Sequence, residues 1–443
     1  MTGTDTEPPI GAAVKDPTAA KGSTEPLLPP EITAQTLGDY VRGLVLRVKS
    51  GESGVLPVIL SMVIVFVVFW AVSRHHVFIS AGNMVNLFQQ SAVFIVLGMA
   101  EMFALLLGEI DLSLGYLGPL GGAIAIQIIE PGNAGWPWWA GIVLGLLGAA
   151  LIGLVQGLII TVLRIPSFIV TLAFSLICFG LILKVLAIGP YSGYPSTNGI
   201  DRDLRYLHNL MWANVTPAAS WISMIVIVGL YSGLVFTRDE RRRRSGLVAP
   251  PLSLTLIKIA FFSAVGVVLV LICNLNRANI GKLQGVPFFV YIVLGVLAMW
   301  TFLLHRTRYG RYVYAIGGNA EAARRAGINV TRIRTMAFVL AGFTGGIAGI
   351  LYLSQNGGMS NNVNGGQLVL YAVAAAVIGG TSLFGGRGKP RDAILGALVI
   401  VMIPNGIGLK PNLGVQHQEV ITGIVLLVAA SVDAISRRRA MSR

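Results

Sequence analysis

Three carboxylates lie inside or beside apolar stretches of the chain, where a charged group is costly and often has a functional role. They are Glu101, Glu109 and Asp111. Glu109 and Asp111 belong to the segment LGEIDLSLG at 107–115, a polar break between two apolar stretches. Such breaks are typical of discontinuous membrane helices whose freed backbone groups line a cavity. We therefore predict that Glu109, Asp111 and Ser113 lie along a polar substrate path.

Asp111 and Ser113 also have a purely structural interpretation. An aspartate followed by a serine at the start of an apolar stretch can cap a helix by accepting backbone N–H groups. The sequence leaves this alternative open for Asp111, while the path-lining interpretation extends to Glu109.

Uncharged amides inside other apolar stretches could also contact a neutral, polyhydroxylated substrate. The candidates are Gln90, Gln156 and Asn405. Each amide taken alone is more often a hydrogen bond between helices, so this second interpretation stays open as well.

No arrangement typical of an enzyme accompanies these groups. Cys178 and Cys273 lie in apolar stretches without ligand spacing. The glycine-rich segment IGGTSLFGGRGKP at 378–390 lacks a phosphate-loop pattern, because Leu383 stands where the first glycine is needed and Pro390 follows the lysine. We expect no catalytic residue, metal, cofactor or nucleotide site in this chain, and interpret 378–390 as a tight turn between helices.

The composition identifies the environment of these residues. The chain has 443 residues, of which 54% are hydrophobic and 12% charged, whereas soluble domains carry roughly 25% charged residues. Its 54 glycines suit helices that approach closely in lipid. The sequence therefore predicts a polytopic membrane protein.

Long apolar stretches exclude a β-barrel, whose strands are short and alternate in polarity. We predict an all-α fold with about 10–12 transmembrane helices, some of them too short to span unaided. The apolar stretches are 55–73, 86–107, 114–129, 138–163, 168–188, 218–236, 252–273, 286–304, 336–354, 367–384, 392–409 and 419–434.

The predicted organisation has three parts. Residues 1–50 are expected to be a disordered cytoplasmic tail, because they are rich in Thr, Pro and Ala without an apolar pattern. The transmembrane domain extends over 51–436, and a basic tail follows at 437–443.

Most of the 33 Lys and Arg residues fall on one side if the N-terminus is cytoplasmic, as the positive-inside rule requires. Both termini are therefore predicted to be cytoplasmic. The basic run at 238–244 is expected to face anionic lipid rather than nucleic acid, because it lacks stacking aromatic residues.

The cytoplasmic loop at 305–335 is predicted to contain a short helix. Asn319 can cap it, Glu321 lies in its first turn, and Gly327 can end it in a left-handed conformation. Small residues, Ala322, Ala323 and Ala326, would let it seat in a groove of another protein. An ordinary membrane-surface loop is the alternative.

Residues 321–327, EAARRAG, match the EAA-x-x-x-G loop with which importers of the ATP-binding cassette (ABC) class engage their ATPase subunits. LLLGEIDLSLG, RIPSFIVTLAF, RYVYAIGGNAEAARRAGINV and AAAVIGGTSLFGGRG also resemble, in this order, motifs of bacterial ribose, xylose and galactoside permeases. Glu109 and the additional span pair at about 218–273 resemble the xylose branch. Leu114 and Phe384 depart from the commoner small residues of the family.

This resemblance implies a type II-like ABC importer permease that translocates a monosaccharide, D-xylose or a related pentose. The implied partners are a cytoplasmic double-cassette ATPase, an extracytoplasmic sugar-binding protein and a second permease copy. The implied location is the bacterial inner membrane. A self-contained secondary transporter is the alternative, but it needs buried carboxylates for its coupling ion. A membrane-embedded transferase is disfavoured by the missing catalytic arrangement.

Overall fold

The computed structural model describes residues 56–188, 195–197, 201–246, 250–278, 281–410, 414, 416–425, 427 and 431. The expected tails at 1–50 and 437–443 lie outside them. In this part of the chain the regular structure is helical, with two isolated β-bridges and no strand, which confirms the all-α prediction. The helices are α1 Leu56–Val72, α2 Ala81–Leu105, α3 Leu114–Ile129, α4 Trp138–Val162, α5 Ser167–Leu186, α6 Arg202–Trp212, α7 Pro217–Arg244, α8 Leu252–Asn274, α9 Phe288–Arg306, α10 Arg308–Gly318, α11 Ala320–Arg325, α12 Val330–Asn356, α13 Gly365–Gly379 and α14 Asp392–Gly408.

Among the described residues, 7 helices are long and apolar enough to cross a membrane: α2, α4, α5, α7, α8, α9 and α12. Helices α3, α13 and α14 have 16, 15 and 17 residues. At 1.5 Å per residue they reach only about 23–26 Å, less than the roughly 30 Å of a bilayer core. The prediction that some apolar stretches are too short to span alone is therefore confirmed.

Contacts between turns define two opposite faces of the protein. On the first, the N–H of Gly386 donates to the carbonyl of Leu106 (2.9 Å), and the Tyr314 hydroxyl donates to the carbonyl of Gly388 (2.7 Å). We call this the basic face, because α7 also ends there in Arg241–Arg244. On the opposite face, the N–H of Thr197 donates to the carbonyl of Gly357 (3.0 Å).

Helices α2 and α12 form the centre of the fold. Each candidate span contains an apolar stretch of 18 residues. In α2 and α12, 78% and 67% of that stretch is buried, whereas in α7 and α8 only 6% and 11% is buried. Around this centre α12 packs against α2, α3 and α4. Helices α13 and α14 pack against each other and against α2.

Glycine makes the crossing of α12 with its neighbours possible. A Cβ at Gly349 would overlap the carbonyl oxygen of Gly118 on α3, and one at Gly153 on α4 would overlap the carbonyl oxygen of Phe338. The backbones are therefore in direct contact. This is the small-residue packing that replaces the hydrophobic driving force inside lipid.

Two α-helices among the described residues were not predicted from the sequence, and both carry local signals that could have identified them. Helix α6 begins at the cap Asp201, whose carboxylate accepts from the N–H of Asp203 (2.8 Å), and it buries Leu204, Leu207 and Met211 at helical spacing. Helix α10 begins at Thr307, whose hydroxyl accepts from the N–H of Gly310 (3.3 Å). The loop at 305–335 therefore contains two helices rather than one.

We predict that Gly349→Ala destabilises the protein by about 1–3 kcal/mol, because the added methyl group collides with the α3 backbone. Unfolding of the detergent-solubilised protein, followed by circular dichroism, measures this loss. Gly295→Ala on α9 is the matched control, because its Cβ would meet no atom within 4 Å. Equal stability of the two variants would contradict the packing described here.

Candidate functional site

The turn between α2 and α3, residues 106–113, holds Glu109 and Asp111, and the third carboxylate singled out from the sequence, Glu101, lies close to it near the end of α2. The N–H of Asp111 donates to Oε1 of Glu101 (3.2 Å). One oxygen of Asp111 accepts from both the N–H (3.0 Å) and the hydroxyl (2.6 Å) of Ser113. The side chains of Glu101, Asp111 and Ser113 are fully buried. Asp111 and Ser113 are therefore brought together, and their hydrogen bonds are those of a local turn.

Each of the two buried carboxylates keeps one oxygen without a hydrogen-bond partner in the described residues: Oε2 of Glu101 and Oδ2 of Asp111. Burial of two anionic groups side by side is unfavourable unless a proton or a polar ligand compensates them. The turn thus combines fixed backbone geometry with unused acceptor atoms. That combination suits a polar site within an apolar protein.

Glu109 points to a different neighbour. Its carboxylate lies 3.5 Å from the guanidinium of Arg334 on α12, and the two side chains are 15% and 31% exposed. The pair ties the α2–α3 turn to the beginning of α12 on the basic face. Arg334 was not a candidate from the sequence, because an arginine in a basic loop gives no sign of its distant partner.

The glycine-rich loop 380–391 packs against this turn. Gly386 donates to the carbonyl of Leu106, and Gly385 and Gly386 have φ angles of +85° and +73°. These left-handed conformations are accessible to glycine at little cost. The sequence predicted a tight turn at 378–390. The structure confirms a connection between two helices there, but the connection is a loop of twelve residues, 380–391, between α13 and α14. We call the turn 106–113 and the loop 380–391 together the glycine hub.

Helix α10 connects the glycine hub to α11. A Cβ at Gly317 would overlap the carbonyl oxygen of Leu106 and lie 2.5 Å from the nitrogen of Gly386. The Tyr314 hydroxyl donates to the carbonyl of Gly388 (2.7 Å). Burial, together with the negative charge of Asp392, raises the pKa of Tyr314 to about 12, so this phenol stays a donor at physiological pH.

Helix α11 has the local features expected from the sequence. Asn319 accepts from the N–H of Ala322 (2.9 Å). Glu321 lies in the first turn and pairs with Arg324 and Arg325, both at 3.4 Å. Gly327 has a φ angle of +82° and permits the reversal after the helix.

One side of α11 is anchored and the other is free. Ala323 is 5% exposed and belongs to the main hydrophobic core, whereas Glu321, Ala322, Ala326 and Gly327 are exposed. The exposed residues form a small, low-relief surface that a partner protein could contact closely. We call the four exposed residues, Glu321, Ala322, Ala326 and Gly327, the coupling surface.

The remaining candidates lie apart from the glycine hub. The amide of Gln90 donates to Asn86 on the same helix, and Gln90 is 11 residues before Glu101, about 16 Å along α2. Asn405 exchanges hydrogen bonds with Asn83 (3.0 and 3.1 Å), which join α14 to α2.

Gln156 is fully buried on α4, and neither of its amide atoms has a partner in the described residues. It lies one helical turn before Ile160, which packs with Ala104 of α2. Glu101 also lies about one turn before Ala104. Because each side chain lies about one turn before this cluster, Gln156 and Glu101 are at a similar height in the helix bundle.

An all-helical protein with membrane-spanning segments, a buried polar break and a capped surface helix has the architecture of a membrane transport protein. Residues 83–430 match the family described as "Branched-chain amino acid transport system / permease component". The chain belongs to this family of transport permeases.

Named relatives come from several bacteria. The chain is 33% identical over 387 residues to the xylose transport system permease protein XylH of Escherichia coli K12, covering 86% of this chain and 92% of the relative. It is 31% identical to XylH of Haemophilus influenzae, covering 86% and 96%. It is 29% identical to the ribose import permease protein RbsC of E. coli K12, covering 80% and 87%. No solved structure matches the chain.

We predict that Glu109→Leu strongly reduces transport, because it leaves Arg334 half-buried without its partner at a cost of about 1–3 kcal/mol. Glu109→Gln should reduce transport only modestly, since the amide still accepts a hydrogen bond. Initial uptake rates of the reconstituted protein, normalised to membrane-inserted protein, measure both effects.

The exchange variant Glu109→Arg with Arg334→Glu provides the control, because it restores opposite charges across the same contact. It should recover part of the activity lost in Glu109→Leu. Wild-type transport by Glu109→Leu would show that the ion pair and the path-lining role are both unimportant.

Proposed function

We propose that this chain is the membrane-spanning permease subunit of an ATP-driven importer of monosaccharides, with D-xylose or a related pentose as substrate. The observation that supports this proposal most directly is the coupling surface on α11. The surface is exposed, its helix is capped, and α10 connects it to the glycine hub. Family membership and the named xylose and ribose relatives support the substrate class.

The partners follow from the same proposal. A cytoplasmic double-cassette ATPase engages Glu321, Ala322, Ala326 and Gly327, while Ala323, expected from the sequence to belong to the same docking face, is buried and seats α11 on the core. An extracytoplasmic sugar-binding protein delivers the sugar to the opposite face. Two permease copies form the pathway in the bacterial inner membrane, with both termini in the cytoplasm. The concentration of arginine on the basic face supports this orientation.

The substrate path is proposed to include Gln90, Glu109, Asp111, Ser113, Gln156 and Asn405. The buried unpaired amide of Gln156 and the free oxygen of Asp111 are the strongest members, because their polar atoms are available for sugar hydroxyls. Gln90 and Asn405 already have side-chain partners, which a sugar would have to displace.

A self-contained secondary transporter is the competing function. It requires carboxylates that bind and release a coupling ion. In this structure Glu109 is paired with Arg334, and one oxygen of Asp111 is engaged by Ser113. Glu101 and the second oxygen of Asp111 are the acceptors left for a coupling ion. The exposed, capped helix α11, for which a self-contained transporter has no use, favours the ATP-driven alternative.

We predict that uptake of D-xylose into proteoliposomes requires ATP and the ATPase at the basic face and sugar-binding protein at the other face. An imposed pH gradient without ATP should give no uptake above the rate of protein-free vesicles. D-Ribose and a hexose serve as competitors that identify the preferred sugar. Uptake driven by the pH gradient alone would favour the secondary transporter.

A substitution at the contact of α10 with the glycine hub should separate binding of the ATPase from transport of the sugar. Gly317→Ala should reduce transport about tenfold or more, because a methyl group that collides at this contact costs about 1–3 kcal/mol. The ATPase should still bind, since α11 is unchanged. Uptake and co-purification of the ATPase are measured on the same preparation.

Gly318→Ala is the matched control, because the neighbouring glycine would place its Cβ in open space. Gly327→Val should show the reverse phenotype, loss of ATPase binding, because valine disfavours the left-handed conformation. Normal transport by Gly317→Ala would disprove transmission through this contact. Normal ATPase binding by Gly327→Val would argue against docking at the coupling surface.

A further inference from the structure

Glu101 and Asp111 are two acids that contact each other in the interior of the protein. Both side chains are fully buried. The N–H of Asp111 donates to Oε1 of Glu101 (3.2 Å), which directs the carboxyl group of Glu101 towards Asp111. Oε2 of Glu101 and Oδ2 of Asp111 have no hydrogen-bond partner in the described part of the chain. Two contacting acids therefore each keep one buried acceptor atom without a donor.

The described residues supply no positive charge to this pair. Helices α8, α9, α12, α13 and α14 all pack against α2, but Asp111 is the one charged group among the described residues that acts on Glu101. The ion pair near the turn joins Arg334 of α12 to Glu109 instead (3.5 Å). If both acids were ionised, they would repel each other without compensation for their burial.

The groups that approach the turn from α5 are neutral. The hydroxyl of Thr171 donates to the carbonyl of Ile110 (3.3 Å). The thiol of Cys178 is fully buried and lies close enough to Asp111 to experience its charge. Neither group brings a positive charge to the pair, so the remaining way to remove one of the two negative charges is to bind a proton.

The surroundings of the two acids favour the proton on Glu101. Oδ1 of Asp111 accepts from both the N–H (3.0 Å) and the hydroxyl (2.6 Å) of Ser113, and such hydrogen bonds stabilise an ionised carboxylate. Asp111 also precedes α3, whose N-terminal partial charge favours an anion. Glu101 instead lies one turn before the C-terminus of α2 at Leu105, where the partial charge of the helix disfavours an anion.

We propose that Glu101 is a neutral carboxylic acid in the folded protein and shares its proton with the free oxygen of Asp111, so that the pair carries a single negative charge. Glu101 is then a positioning residue. Its Oε1 holds the backbone of Asp111, and its proton allows Asp111 to remain an anion that organises the turn 106–113. The proposal concerns the chain itself and does not depend on the proposed substrate or ATPase.

Infrared spectroscopy of the full-length protein in detergent tests the proposal directly, because the C=O stretch of a carboxylic acid is resolved from the stretches of a carboxylate. The wild type at neutral pH should show the acid band, and biosynthetic labelling with ¹³C-glutamate should shift it to lower frequency. Glu101→Gln should lose this band. Glu109→Gln is the matched control and should retain it, because Glu109 is the ionised partner of Arg334.

Several infrared results would overturn the proposal. Absence of the acid band in the wild type, or a band of equal size in Glu101→Gln, would show that Glu101 is ionised. A band that Glu101→Gln removes but labelled glutamate does not shift would place the proton on Asp111. If the band is absent and added Na⁺ or K⁺ stabilises the wild type but not Glu101→Gln, a metal ion takes the place of the proton. Failure of Glu101→Gln to fold would also contradict the proposal, because the amide is the neutral isostere of the acid.

The bound proton also makes stability depend on pH. An unfolded chain releases this proton above about pH 4.3, whereas the folded protein keeps it, so a rise in pH weakens folding. Relative to Glu101→Gln, the folding equilibrium constant of the wild type should fall by up to about tenfold per pH unit until Glu101 itself ionises. Thermal unfolding followed by circular dichroism measures this difference. The same pH dependence in both proteins would contradict the proposal.

Glu101→Leu separates the positioning role from simple burial. Leucine removes the charge as glutamine does, but it leaves the N–H of Asp111 without its acceptor and Oδ2 of Asp111 without a donor. It should therefore unfold at a lower temperature than Glu101→Gln at every pH. Equal unfolding temperatures of the two variants would show that Glu101 does not hold the turn.

Discussion

Direct backbone contact between α12 and its neighbours is the constraint on which the rest of this structure depends. Inside lipid the burial of apolar side chains provides no net driving force, so helices associate through close packing. Gly118, Gly153 and Gly349 remove the side chains that would keep α3, α4 and α12 apart. Helix α12 also begins a few residues after α11 ends. The helix that organises the core is therefore covalently joined to the coupling surface.

The glycine hub solves a second problem, the backbone groups released where a helix stops. Such groups need partners within the protein where they are buried. Asp111 and Glu101 supply acceptors on one side of the hub, and the loop 380–391 supplies a donor to Leu106. Helix α10 packs on the same backbone, so it is in contact with the two segments that lead into the short helices α3 and α14.

The α7–α8 hairpin packs on the rest of the protein in a different way from the central helices. Its side chains are largely exposed to the surroundings, and a Cβ at Gly229 or Gly233 would meet no atom within 4 Å. It is held by hydroxyl groups such as Ser220 and Ser223 near one end. This attachment leaves an apolar crevice of about 150 Å³ between the hairpin and α9. The hairpin is therefore less tightly packed than the glycine-rich centre of the fold.

The sequence alone determined the fold class, most helix boundaries and the caps of α11, because these depend on local composition, helical spacing and neighbouring side chains. Asn319, Glu321 and Gly327 act on the backbone within a few residues of themselves. Helices α6 and α10 could have been predicted from Asp201 and Thr307 by the same reasoning. The contacts of Glu109 with Arg334, of Asn405 with Asn83 and of Gly317 with Leu106 were decided by the tertiary structure. Each joins residues far apart in the chain, and only the packing of whole helices determines which of them meet.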